Sequence, residues 1–142
     1  MLQNLRRMGS LILAAILTTF LASLPFILFF SSWVIPDYGI TPVLLHHLPS
    51  LLVVGSLIGV GTFLLRGSLA HAIVGSAYSW QLGAVLSSII LSPLLYAPDI
   101  LENRQALTNS ALVLQVLLAP PLGLLPALIR LFRSRKGDIT RI

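Results

Sequence analysis

The chain has 142 residues, of which 56% are hydrophobic and only 9% are charged, whereas soluble domains carry about a quarter charged residues. So few charges cannot cover the surface of a soluble protein of this length, and the composition therefore predicts a single-domain integral membrane protein. The absence of cysteine excludes disulfides, thiolate metal sites and a cysteine nucleophile.

The net charge of +5 does not indicate nucleic-acid binding, because the charged residues lie at the ends of apolar segments. A nucleic-acid surface would place them along one face, among aromatic side chains that stack on bases. We therefore expect the lipid bilayer as a partner and no nucleic acid.

Four apolar stretches are long enough to cross a bilayer, which needs about 20 residues of helix. They predict an all-α membrane protein, residues 1–142 forming one transmembrane domain. The predicted spans are about 11–33, 43–65, 69–91 and 106–131, and a basic tail occupies 133–142.

The first span follows two arginines and could be taken for a signal peptide. However, its apolar run continues through Phe30, and Ala22-Ser23 is a poor cleavage signal. We therefore expect an uncleaved span.

Basic residues fall on one side of the predicted membrane. The predicted topology anchors are Arg6, Arg7, Arg66, Arg130, Arg133, Arg135 and Lys136. The opposite side carries Arg104 together with Asp37, Asp99 and Glu102. By the positive-inside rule, this bias predicts that both termini are cytoplasmic. Trp33, Tyr38 and Tyr96 then fall at the outer boundary, where aromatic rings prefer to lie.

Small residues recur at four-residue intervals on both sides of the break at Arg66-Gly67-Ser68. The predicted helix-packing residues are Gly55, Gly59, Gly75, Ser79 and Gly83. Such spacing lets helix backbones approach closely in lipid.

Reflecting the chain about Gly67 brings Gly59 opposite Gly75 and Gly55 opposite Ser79. This register predicts a tight antiparallel hairpin of the second and third spans, with Gly67 supplying a permissive backbone for the turn. The alternative is a dimer, because GxxxG also pairs separate chains.

Three prolines, Pro120, Pro121 and Pro126, lie in the fourth span and predict a kink there. Gln115 precedes the freed carbonyl groups and is expected to hydrogen-bond one of them. A broken helix can present carbonyl groups to an ion or substrate, but a kink that packs against a neighbouring helix is the commoner arrangement.

No aspartate or glutamate lies inside a predicted span, which removes paired carboxylates and weakens the case for a proton-coupled antiporter. His46 and His47 fall on the opposite side of the membrane from His71, so they cannot hold one metal or haem together. All three are expected to be interfacial. No catalytic, cofactor-binding or metal-binding residue is predicted.

These features predict a non-enzymatic, multi-pass protein of a prokaryotic plasma membrane that acts as an accessory subunit or helper of a membrane complex. The alternative is a small oligomeric transporter or channel that uses the kinked fourth helix. The expected protein partners are other membrane subunits or further copies of the chain.

Overall fold

Helices form almost all of the structure. The computed structural model describes residues 1–32, 35–93 and 104–139, with the side chains of 1–32, 35–93 and 108–135. The helices are α1 (Leu2–Phe30), α2 (Ile35–Tyr38), α3 (Ile40–Leu64), α4 (Leu69–Leu91), α5 (Arg104–Gly123) and α6 (Leu125–Ile139).

Within these ranges, four helical stretches are long and apolar enough to cross a membrane. They are Leu2–Phe30, Ile40–Leu64, Leu69–Leu91 and Thr108–Arg135. The protein is therefore an all-helical, multi-pass membrane protein, as predicted. Several residues used in the orientation argument lie outside the described residues or side chains: Trp33, Tyr96, Asp99, Glu102, Arg104 and Lys136.

The first helix extends further than its apolar run. It begins at Leu2, whereas hydropathy alone predicts a span from about Leu11. Residues 2–10 contain several good helix formers and no proline, so the backbone continues as a helix beyond the apolar segment.

The inward face of α1 consists largely of small and hydroxyl-bearing side chains. The helix buries every fourth residue, namely Leu11, Ala15, Thr19, Ser23 and Ile27. Three other leucines point outward, with Leu13, Leu17 and Leu21 exposed by 60%, 51% and 63%. Residues four apart share one helix face, so α1 presents a narrow packing face to the protein and an aliphatic face to lipid.

Helix α1 runs parallel to α4. The Arg7 guanidinium donates to the Gly67 carbonyl oxygen at 2.9 Å, and the Gln81 amide donates to the Ala22 carbonyl oxygen at 2.6 Å. The contacts thus advance in the same direction along both helices. Helix α1 packs most extensively on α3, and α4 packs most extensively on α5.

The interface between α1 and α3 is closed by two glycines. A Cβ atom added to Gly55 would lie 2.6 Å from the Ile16 Cα, and one added to Gly59 would lie 2.5 Å from the Ile12 Cα. These contacts are with backbone, so the two helices approach each other as closely as glycine permits.

The interface between α4 and α5 uses the second set of small residues. A Cβ atom on Gly75 would collide with the Gly123 backbone, and one on Gly83 would lie 3.1 Å from the Ala119 Cβ. Ser79 lies against Gly123 as well. The face with four-residue spacing on α4 therefore receives α5.

The predicted register between the second and third spans is wrong. Helices α3 and α4 are joined by a short turn, as predicted, but Gly59 does not pair with Gly75, nor Gly55 with Ser79. The spacing of small residues identifies a face suited to close approach. It does not specify which helix occupies that face.

A Schellman motif ends α3, and its left-handed residue is Arg66. The Gly67 N–H donates to the Thr62 carbonyl oxygen at 2.8 Å, and the Arg66 N–H donates to that of Phe63 at 3.0 Å. Arg66 has a φ of 54°, so the permissive backbone predicted for Gly67 is instead required of Arg66. At Gly67 the lack of a side chain avoids a steric clash, because an added Cβ atom would lie 2.6 Å from the Thr62 Cγ2 atom.

Candidate functional site

The kinked fourth span is the first candidate site, because proline frees carbonyl groups there. Regular helix is interrupted at Leu124, between α5 and α6. The Leu124 N–H donates to both the Pro120 and Pro121 carbonyl oxygens, at 3.1 and 3.3 Å. This interruption falls inside the predicted kink region, and the size of the bend stays a prediction.

The carbonyl group that Pro126 leaves without a helical donor is that of Leu122, four residues earlier. The Tyr78 hydroxyl of α4 donates to this oxygen at 2.6 Å. A side chain of the protein therefore replaces the donor that Pro126 removes from this carbonyl group.

Gln115 does not serve the kink as predicted. Its side-chain amide donates to the Trp80 carbonyl oxygen of α4 at 3.0 Å. The residue is buried, and it links α5 to α4 rather than satisfying a carbonyl group of its own helix.

Buried hydroxyl groups form a second group of candidates. Thr19, Thr62, Ser76 and Ser79 are fully buried, and their hydroxyl oxygens have no hydrogen-bond partner among the described residues. A serine nucleophile needs a base within hydrogen-bond reach. Within the described part of the chain, Ser76 and Ser79 therefore resemble small residues that pack helices together and not activated nucleophiles.

Histidines and an aromatic side chain meet at the end of the bundle near α2. The ring centroids of His46 and His47 lie 5.2 Å apart, and those of His47 and Trp80 lie 6.1 Å apart, with the rings nearly perpendicular. A cleft of about 350 Å³ exposes both histidines beside Tyr38 and Thr108. The cleft offers hydrogen-bonding groups to a polar molecule, while three metal-ligating side chains do not come together anywhere in the described residues.

His71 has a local structural role at the opposite end of the bundle. Its Nδ1 accepts a hydrogen bond from the Ser68 N–H at 3.1 Å, and the Ser68 hydroxyl contacts the same nitrogen. His71 thus takes the place of the glutamate in a capping box at the start of α4. This histidine is engaged by the helix cap.

All of the basic side chains that the structure describes lie at this same end. They are Arg6, Arg7, Arg66, Arg130, Arg133 and Arg135. Arg7 of α1 binds the Gly67 carbonyl group, and the Arg130 guanidinium of α6 donates to the Arg66 carbonyl oxygen at 3.0 Å. The turn between α3 and α4 is therefore held from both sides, while Asp37, the one acidic side chain described, lies at the other end in α2.

Sequence reasoning did not identify Tyr78 and Gln81 as the side chains that bind carbonyl groups of neighbouring helices. A polar side chain inside a span needs a partner, and an interior proline leaves a carbonyl group free. These two signals together indicate that a donor is required, but they do not say which helix supplies it.

Comparisons with family models, with curated proteins and with solved structures give no match to this chain.

Proposed function

We propose that the protein is a non-enzymatic accessory subunit of a larger membrane complex, and that a transmembrane helix of another subunit docks between α1 and α4. A lateral groove of about 510 Å³ carries this proposal. Phe26, Phe30 and Ile89 wall the groove, and Ala84 and Ser88 provide small side chains in it. Small residues between bulky ones allow a helix to approach closely in lipid.

The packing of the kink against α4 supports an accessory role over transport through the chain. Tyr78 occupies the Leu122 carbonyl group, and the α5 backbone at Gly123 lies directly against Gly75. Both contacts pack the interrupted segment against α4, as expected of a kink that packs on a neighbouring helix.

The surroundings of the buried serines favour a non-enzymatic role. Within the described part of the chain, no side chain hydrogen-bonds to the hydroxyl group of Ser76 or Ser79. An activated serine requires such a base.

Photo-crosslinking tests the groove directly. A photoreactive amino acid at Val85, which lines the groove, is compared with the same residue at Val74 of the same helix. Both valines are substantially exposed, by 46% and 53%. We expect Val85 to crosslink one distinct polypeptide, which native mass measurement also finds in stoichiometric complex, and Val74 not to crosslink it.

The alternative is the small oligomeric transporter or channel. A closed homo-oligomer by native mass measurement, combined with solute or ion flux in liposomes, would replace the accessory role with transport. Crosslinking from Val85 only to lipid would also contradict the accessory role.

A further inference from the structure

We propose that the cleft between the C-terminal end of α3 and the outer face of α6 binds an anionic phospholipid. The phosphate lies between the guanidinium groups of Arg66 and Arg135, and an acyl chain lies along the neighbouring leucines. This site is separate from the groove between α1 and α4.

The shape and lining of the cleft fit an amphipathic ligand. Its volume is about 340 Å³, and five residues line it: Leu64, Leu65, Arg66, Leu131 and Arg135. Two guanidinium groups and three leucine side chains thus share one cavity. Guanidinium groups form charge-assisted hydrogen bonds to phosphate oxygens, and basic pockets between membrane helices bind lipid headgroups.

The guanidinium groups of Arg66 and Arg135 are available to a ligand. Arg7 and Arg130 donate to the carbonyl groups of the turn, whereas the side chains of Arg66 and Arg135 make no hydrogen bond or ion pair with any described residue. The described acidic side chain, Asp37, lies at the opposite end of the bundle. Among the described side chains, the cleft therefore combines positive charge that has no protein partner with an apolar wall.

The left-handed backbone conformation of Arg66 is a second observation that supports the site. Its φ of 54° is a conformation that glycine adopts without strain, and the Schellman motif normally carries glycine at this position. Strained non-glycine residues concentrate at functional sites. An arginine here gains no capping advantage over glycine, which is consistent with a role for its side chain in the cleft.

Native mass spectrometry of the full-length protein in mild detergent tests the site. The protein is titrated with phosphatidylglycerol and with phosphatidylcholine of the same acyl chains. We expect one phosphatidylglycerol to bind with a preference of about tenfold or more, the factor expected when a hydrogen bond involves a charged group. The Arg66→Gln/Arg135→Gln variant is expected to lose this preference.

A matched control removes the same charge elsewhere. The Arg6→Gln/Arg133→Gln variant changes two exposed arginines outside the cleft and is expected to retain the preference. Equal loss in both double variants would show a general surface-charge effect and overturn the proposal. Because Arg66 belongs to the turn, Arg135→Gln alone gives a variant that leaves the turn untouched, and it too must weaken binding.

Two further measurements separate a lipid from a free phosphate. Leu131→Trp fills the cleft while keeping both arginines, and we expect it to weaken phosphatidylglycerol binding. Inorganic phosphate at millimolar concentration is expected not to displace the lipid. Displacement by phosphate, or undiminished binding to Leu131→Trp, would show that the acyl chain is not held in the cleft and would overturn the lipid assignment.

Discussion

Tyr78 and Pro126 lie in different helices but determine the environment of the same carbonyl group, that of Leu122. Proline removes the helical donor, and the Tyr78 hydroxyl replaces it at 2.6 Å. We expect Tyr78→Phe to lower the free energy of unfolding by about 0.6 kcal/mol, the average for interhelical hydrogen bonds in membranes. Reversible unfolding in mixed micelles measures this change, and Tyr38→Phe, at an exposed tyrosine, is the control.

The double variant isolates this interaction. Pro126→Ala restores an N–H that can bond to Leu122, so in its presence Tyr78→Phe is expected to cost less than in the wild-type chain. An equal cost in both backgrounds would show that the hydroxyl group stabilises the protein through some other contact.

Arg66 holds a left-handed backbone conformation that costs an L-residue about 1–2 kcal/mol. We therefore expect Arg66→Gly to raise the free energy of unfolding by about 1 kcal/mol, measured without anionic lipid. The same change at Arg133, an exposed position within α6, is expected to lower it by about 1 kcal/mol, because glycine is a poor helix former. A loss of stability in both variants would contradict the strain assigned to the turn.

At the scale of helices, glycine determines how closely α1 and α3 approach. An alanine at position 59 would place its Cβ 2.5 Å from the Ile12 Cα, and the backbone of α1 must shift to admit it. We expect Gly59→Ala to cost about 1–3 kcal/mol, as overpacking does elsewhere, measured by thermal unfolding in detergent.

Gly9→Ala provides the matched control on α1. An added Cβ at Gly9 meets no atom within 4 Å, and alanine favours helix over glycine. This change is therefore expected to be neutral or stabilising, and destabilisation of equal size in both variants would rule out steric contact as the cause.

The helices themselves were predictable, because a membrane span requires a long apolar segment and such segments are visible in the hydropathy pattern of the sequence. The helices that pack against α3 and α4 were not predictable in this way. Helix α1 meets Gly59 and Gly55 at Ile12 and Ile16, and these isoleucines did not mark α1 as the partner of the two glycines. Similarly, Pro126 indicated a free carbonyl group, but only the folded chain brings Tyr78 to it.

For the whole molecule, the described basic side chains gather at one end of the bundle, where Arg7 and Arg130 meet the turn between α3 and α4. The positive-inside rule then predicts that this end, with both termini, is cytoplasmic. Topology reporters fused after Tyr38 and after Arg141 test the orientation. A reporter at Arg141 that is active only outside the cytoplasm would reverse it.

The separate glycine faces of α3 and α4 have a consequence for biosynthesis. Helix α1 is made before α3 and can cover Gly55 and Gly59 at once, whereas Gly75 and Gly83 are covered only after the fourth span is made. A nascent chain therefore leaves this α4 face uncovered until the fourth span has been made. We expect a chain that stops at residue 93 to be degraded by membrane proteases. Residues 104–142, supplied as a second polypeptide, should restore its half-life in a pulse-chase, whereas the same fragment with Gly123→Leu should not.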